Sequence, residues 1–200
     1  MKRVTFILLC IFSFCFVNAQ GKRIIKDNFE TNKFQWEEFY EDSYSSSIQD
    51  GFLELKNEDE EKMAWSIAEL PINTDRNFDI SFNFHVKEIN DEYWFGIVFN
   101  YEDSDNFNYL IVQEKRFQLI NRVNGVSSII RRNNIILKEG DEKDVKIVMN
   151  KKGKKLTFLV DEMEVVSVTK NIDNNTFGCI VVGENSIKLT EVVMEQIEEI

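Results

Sequence analysis

Tyr93-Trp94-Phe95-Gly96-Ile97-Val98-Phe99-Asn100-Tyr101, then Glu102-Asp103-Ser104-Asp105-Asn106, then Phe107-Asn108-Tyr109-Leu110-Ile111-Val112-Gln113 is the stretch that decides the fold. Two runs rich in aromatic and β-branched residues flank a loop of Asp, Ser and Asn. Those three residues form turns because their short side chains bond their own backbone. A third run, Phe117 to Val123, follows a brief charged break and ends on Asn124-Gly125. That dipeptide suits a two-residue hairpin turn, which needs positive φ at both positions. The segment reads as an antiparallel meander.

Working outward, strand patterns cover the chain. Phe78, Ile80, Phe82, Phe84 and Val86 alternate with Asp79, Ser81, Asn83, His85 and Lys87. A period of two over ten residues predicts a half-buried strand with one face in the core. Further strands are expected at 24–29, 52–56, 62–69, 126–131, 144–150, 155–161, 165–169, 177–182 and 187–194. Turn chemistry at Asp50-Gly51, Asn73-Thr74-Asp75, Lys151-Lys152-Gly153 and 171–175 separates them. The last ten residues contain helix formers, but Ile187, Leu189 and Val193 favour a final strand. The fold class expected is all-β, a two-sheet antiparallel sandwich.

The N-terminus has the form of a cleaved export signal over residues 1–19. Lys2 and Arg3 precede an apolar run from Val4 to Val17, and Val17-Asn18-Ala19 offers a small-residue cleavage site. The run is shorter than the ~20 apolar residues a spanning helix needs. Leu9 and Phe14, which precede Cys10 and Cys15, are too large for a lipidation site. Residues 20–200 then form a single domain, expected in the secreted, periplasmic or cell-surface space with no membrane insertion after cleavage.

Without Lys2 and Arg3 the chain carries 22 basic residues against 35 acidic, a net charge of −13. Nucleic acid is thereby disfavoured as a partner, because phosphates need clustered Lys and Arg. Anionic membrane surfaces are disfavoured equally. Cys179 alone survives cleavage, in an apolar strand pattern, and reads as a buried small hydrophobe.

The chain resembles the bacterial secreted concanavalin A-like (LamG-like) jelly-roll domains. The likeness rests on Asp27-Asn28-Phe29-Glu30, Trp36, Asp50-Gly51-Phe52-Leu53-Glu54-Leu55 and Phe78-Asp79-Ile80. It continues through the 94–99 strand, Asp105-Asn106-Phe107-Asn108-Tyr109, Phe117-Gln118-Leu119, residues 155–161 and Phe177-Gly178. It covers essentially the whole of residues 20–200. The resemblance implies a jelly roll with one concave sheet, a fold used by lectins, glycan-binding modules, adhesion domains and some glycosidases. One fold hosts many functions, so the expectation it adds is a glycan or surface polysaccharide as partner.

Glycosidases need two facing carboxylates. Members of the superfamily that are enzymes place them at i and i+4 on one strand with an Asp between, and no such set occurs. Asn57-Glu58-Asp59-Glu60-Glu61 has the wrong order, and Glu162-Met163-Glu164 reads as a hairpin tip. The single histidine, His85, excludes a multi-histidine metal site. No cofactor is expected. A structural calcium is an open possibility, with Asp27, Asp103 and Asp105 as hard oxygen ligands.

For ligand binding, the odd positions of 93–101, including Tyr101, are expected in the core. The even positions Trp94, Gly96, Val98 and Asn100 then face outward, joined by Gln118, Ile120 and Arg122 on a later strand. If the 78–86 strand neighbours them, Asn83 and His85 share that face. An aromatic ring, amides, a histidine and a guanidinium would suit a sugar, whose C–H face covers a ring while its hydroxyls take hydrogen bonds. Trp36 and Trp65 are expected in the core, Tyr40 and Tyr44 on a rim, and the 151–155 lysines on a solvated hairpin tip. The expected function is a non-catalytic carbohydrate-binding or adhesion module. The alternatives are a glycan hydrolase of the same superfamily and a structural or protein-interaction domain.

Overall fold

A computed structural model describes residues 21–89, 91–137 and 140–198. The expected export signal lies outside the described residues. The described chain forms fifteen strands: β1 (Gly21–Asp27), β2 (Phe39–Tyr40), β3 (Tyr44–Gln49), β4 (Phe52–Asn57), β5 (Met63–Glu69), β6 (Phe78–Ile89), β7 (Trp94–Asp103), β8 (Asn106–Val112), β9 (Arg116–Val123), β10 (Val126–Asn134), β11 (Gly140–Lys152), β12 (Lys155–Val160), β13 (Met163–Thr169), β14 (Thr176–Val182) and β15 (Asn185–Glu198). They make two antiparallel sheets. The first has nine strands in the order β13-β12-β11-β6-β15-β4-β3-β2, with β1 alongside β15, and the second has six in the order β10-β9-β8-β7-β14-β5.

Period-two patterning builds the layer between them. Phe78, Ile80, Phe82, Phe84 and Val86 of β6 all point inward and are essentially inaccessible. Phe95, Ile97 and Phe99 of β7 and Phe177, Cys179 and Val181 of β14 meet them from the second sheet. Three ring contacts bridge the sheets: Phe84–Phe95 at 5.7 Å, Phe78–Phe177 at 6.2 Å and Phe99–Phe158 at 5.5 Å between centroids. Each such pair contributes about 0.5–1.5 kcal/mol beyond the area it buries.

The hairpins follow the turn residues. Asp50-Gly51 and Asn124-Gly125 have both φ angles positive, at 51° and 78° and at 49° and 76°. These are the values a two-residue turn needs to match strand twist. The C-terminal segment is strand β15, and the 93–123 region is the meander β7-β8-β9. The 44–49 segment, outside the strands expected from the sequence, forms β3 because the Asp50-Gly51 turn folds it back onto β4. Lys151 departs from the solvated hairpin reading. It is buried, with Nζ donating to the Arg76 carbonyl at 3.1 Å and lying 5.8 Å from the Phe78 ring.

One part of the expected arrangement is absent. β6 does not neighbour the meander: it sits in the nine-stranded sheet between β11 and β15, while β7, β8 and β9 belong to the other sheet. Both share an inner face, so their outer faces point away from each other.

Candidate functional site

The six-stranded sheet carries a second apolar cluster on its outer face, separate from the core between the sheets. Ile67, Val98, Phe107, Tyr109, Ile111, Ile120 and Ile180 form its floor, and Met63, Trp65, Trp94, Tyr101 and Val182 are the half-exposed members around it. Aromatic contacts run through it: Trp65–Phe107 at 5.3 Å, Trp65–Tyr101 at 6.4 Å, Tyr101–Phe107 at 5.7 Å and Phe107–Tyr109 at 5.4 Å.

Two local features create it. The first is an irregularity in β7, where pairing with β8 shifts between Phe99 and Asp103 and Asn100 adopts φ 51°. β7 takes four steps there against two on β8, and the left-handed Asn100 reverses the alternation beyond Phe99. Tyr101, expected in the core, therefore turns outward into the ring cluster, and Asn100 turns in and is buried. The Asn100 amide then fastens the 171–173 segment, with Nδ2 donating to the Asn171 carbonyl at 3.0 Å and Oδ1 accepting the Asp173 N–H at 2.9 Å.

The second feature is the segment after β1. Asp27 is buried and accepts from the Trp36 indole Nε1 at 3.0 Å and the Phe29 N–H at 3.2 Å, and the Phe29 and Trp36 rings lie 5.6 Å apart. Asn32 brackets the same tryptophan, accepting its N–H at 2.7 Å and donating to its carbonyl at 2.9 Å. So anchored, the chain runs along the free edge of β5. Glu37 donates its N–H to the Ile67 carbonyl at 3.0 Å and accepts from the Ser66 hydroxyl at 2.8 Å through its own carbonyl.

That edge segment walls a groove of about 770 Å³ lined by Glu37, Glu38, Phe39, Glu41, Tyr44, Glu61, Lys62, Met63, Trp65, Ser104 and Arg122. A second groove of about 620 Å³ adjoins it across Glu37, with Ile67, Pro71, Tyr101 and Thr176 among its walls. Arg122 is held in place by donating Nε to the Ser104 carbonyl at 3.0 Å, by Asp105 at 3.7 Å and by the Phe107 ring at 5.9 Å. Glu38 is fixed by the Asn32 amide and the Ile48 N–H, each at 3.0 Å. Glu41 takes the Tyr44 hydroxyl, which pushes the Tyr44 pKa upward. Glu37 is exposed as a residue, yet partial loss of hydration raises its carboxyl pKa. Burial also raises the Tyr101 hydroxyl; the Trp65 contact opposes this, and the nearby Glu37 charge adds a smaller push upward.

The expected site residues separate into three groups. Trp94, Gln118 and Arg122 share the outer face of the six-stranded sheet, with the Arg116 guanidinium 5.7 Å from the Trp94 ring. Asn83 and His85 lie on the outer face of the other sheet, where Asn83 donates to Glu191 at 2.9 Å and His85 pairs with Asp144 at 3.0 Å. Asn100 is buried and committed to the backbone. Trp65, expected in the core, is instead the centre of the outward ring cluster. Its alternation with Met63 and Ile67 was legible, but that face is not the inner one.

The oxygens considered for calcium are engaged as well. Asp103 accepts from the Asp105 N–H at 2.8 Å and from the Asn106 amide at 2.9 and 3.1 Å, and Asp27 holds Trp36 and Phe29. Among the described residues no three His, Cys, Asp or Glu side chains gather as a metal site, and no helix is long and apolar enough to cross a membrane.

No protein-family model matches the sequence, and neither does any curated protein. Solved structures do match in shape. The carbohydrate binding module CBM66 from Bacillus subtilis superposes with a TM-score of 0.60 at 12% identity, over 78% of this chain and 94% of that one. A Bacillus subtilis protein of unknown function with a galectin-like fold gives 0.63 at 11% identity, over 90% and 98%. Bacillus licheniformis β-glucanase gives 0.55 at 9% identity, over 88% and 98%.

Proposed function

We propose, from the premise that this chain has the concanavalin A-like lectin and glucanase jelly-roll fold, that it is an exported carbohydrate-binding module. Its site is the outward face of the six-stranded sheet beside β5. The observation that carries this reading is the half-exposed Trp65 and Tyr101 packed on the buried Phe107 ring, with Trp65 lining a groove that holds Tyr44, Arg122 and several glutamates on its walls. Rings present flat apolar surface to sugar C–H groups, and convergent polar groups fix orientation. Two glycines support a face curved around a ligand. A Cβ on Gly96 would sit 1.8 Å from the Leu110 carbonyl oxygen, and one on Gly178 2.3 Å from that of Ser66. Neighbouring backbones therefore close up on the outward side, as they do where a sheet bends toward that side.

Glycan-array screening followed by calorimetry tests the proposal. Trp65→Ala is expected to weaken the best ligand by about 30-fold, or ~2 kcal/mol. Trp94→Ala, on the same face but outside the groove, is expected to weaken it less. A folded protein that binds no glycan, or whose binding ignores both substitutions, overturns the reading.

A hydrolytic role has one observation in its favour: Glu37, with its raised pKa, shares a groove with three other glutamates. A general acid needs a raised carboxyl pKa, and lost hydration shifts Glu37 in that direction. Binding is the better reading because Glu38 and Glu41 are tied to Asn32, Ile48 and Tyr44. Release of reducing ends from a bound glycan, abolished by Glu37→Gln, would reverse that preference.

A further inference from the structure

One margin of the molecule differs in charge from the rest. Residues 116–137 contain four arginines, Arg116, Arg122, Arg131 and Arg132, and no acidic residue, in a chain with 35 acidic side chains. They fold as β9 and β10, and β10 is the free edge of the six-stranded sheet. The opposite edge, β5, is covered by the Glu37 segment; among the described residues nothing covers β10, and every residue of it but Ile130 is exposed.

An antiparallel edge strand turns the N–H and C=O of every second residue outward, a template for another strand. Edges are ordinarily blunted by short length, proline or lysine. β10 is nine residues long and has neither proline nor lysine. It exposes branched apolar side chains instead: Val126 is 70% exposed, Ile129 47% and, just past the strand, Ile136 83%. Ile129 lies opposite Ile120 and Arg132 opposite Gln118, while Arg131 lies opposite the inward Leu119, so guanidiniums flank the edge on both faces. Neither has a carboxylate partner among the described residues; Arg131 donates only to the neighbouring Ile130 carbonyl. Charge decides the occupant. Two β10 edges from two copies would bring four guanidiniums onto one ladder, whereas an acidic strand pairs with them.

We propose that β10 takes an extended acidic peptide, alternating glutamate or aspartate with branched apolar residues, as a seventh strand of this sheet. The peptide main chain bonds the free edge, its carboxylates meet Arg131 and Arg132, and its apolar side chains cover Val126 and Ile129. This site lies on the margin of the sheet and does not rest on the glycan reading.

Calorimetry on the protein at neutral pH and low salt, with four probes, tests it: an alternating glutamate–valine ten-residue peptide, its lysine–valine counterpart, the glutamate–valine peptide N-methylated throughout, and an oligogalacturonate. The acidic peptide is expected to bind about tenfold more tightly than the basic one, to slow amide exchange along β10, and to lose binding when N-methylated. Arg131→Gln/Arg132→Gln should weaken it by about tenfold. Lys152→Gln/Lys154→Gln, on a hairpin of the other sheet, should leave it unchanged. Equal affinity for the acidic and basic peptides, or undiminished binding of the N-methylated one, overturns the proposal. So does oligogalacturonate binding that depends on Arg131 and Arg132 where the peptide does not bind, which assigns the arginines to an anionic polysaccharide. A dimer in sedimentation whose formation protects the β10 amides assigns the edge to a second copy and also overturns it. If no probe binds, the arginines only guard the edge against aggregation, and the proposal falls while glycan binding at the Trp65 groove stands. Thermal unfolding of each variant shows whether the fold is retained.

Discussion

Glu37 and Asp27 show how two acidic side chains ten residues apart come to opposite uses. Asp27 is buried, but its oxygens are spoken for by the Trp36 indole and the Phe29 N–H, so its burial stabilises the segment that walls the groove. Asp27→Ala leaves two buried donors unpaired and is expected to cost about 1–3 kcal/mol, read by denaturant unfolding. Glu37 has no such partner, and its raised pKa means that the folded state binds a proton more readily than the unfolded one. Stability therefore rises as pH falls through the interval between the raised value and the ordinary one, and the charged form is a net cost at neutral pH. Glu37→Gln is expected to raise the melting temperature at pH 7, and the difference from the parent should vanish below the ordinary glutamate range. The other titratable or charged groups lining the two grooves that Glu37 shares are Tyr101, Lys33, Glu69, Glu102, Glu38, Glu41, Tyr44, Glu61, Lys62 and Arg122. A melting temperature unchanged at pH 7 would show that Glu37 stays fully hydrated. Stabilisation on removal of a charged group is the usual signature of a residue kept for binding.

At the scale of elements, β7 decides what the outer face is made of. Its alternation is regular through Phe99 and reverses at Asn100, so one strand supplies rings to both layers. β7 also holds Gly96, whose outward side lies against the backbone of β8. Gly96→Ala puts a Cβ 1.8 Å from a carbonyl oxygen that cannot swing away as a side chain would. A loss of several kcal/mol, or failure to fold, is expected, read from soluble yield and thermal unfolding. Stability close to the parent would mean that β7 and β8 can separate and that the outward face is not held curved there. β5 contributes differently: its free edge is covered by the 30–39 segment, which both protects the edge and brings Glu37 beside Trp65.

For the whole molecule, Cys179 is a natural reporter. It is fully buried between the sheets, and burial pushes its thiol pKa up to about 12. The native protein should resist iodoacetamide, and alkylation should track global unfolding as denaturant is raised. Rapid labelling under native conditions would reveal a local opening of the sandwich at β14.

Much of this was legible in the chain, because a side-chain period of two and the turn residues act locally. The strands, the Asp50-Gly51 and Asn124-Gly125 hairpins, the inward face of β6 and the burial of Trp36 and Cys179 all follow from near neighbours in sequence. The partnership of strands does not. Asn83 and His85 were paired with Trp94 on the assumption that consecutive strands adjoin, whereas β6 and β7 belong to opposite sheets. Trp65 looked like core because it alternates with apolar residues, and a sheet with two apolar faces defeats that inference. The sequence by itself determined that the chain is a β-sandwich and which residues are apolar along each strand. Only the tertiary structure decided which apolar face was sealed and which was left open, because that depends on which sheets and loops, distant in the chain, come to lie against each face.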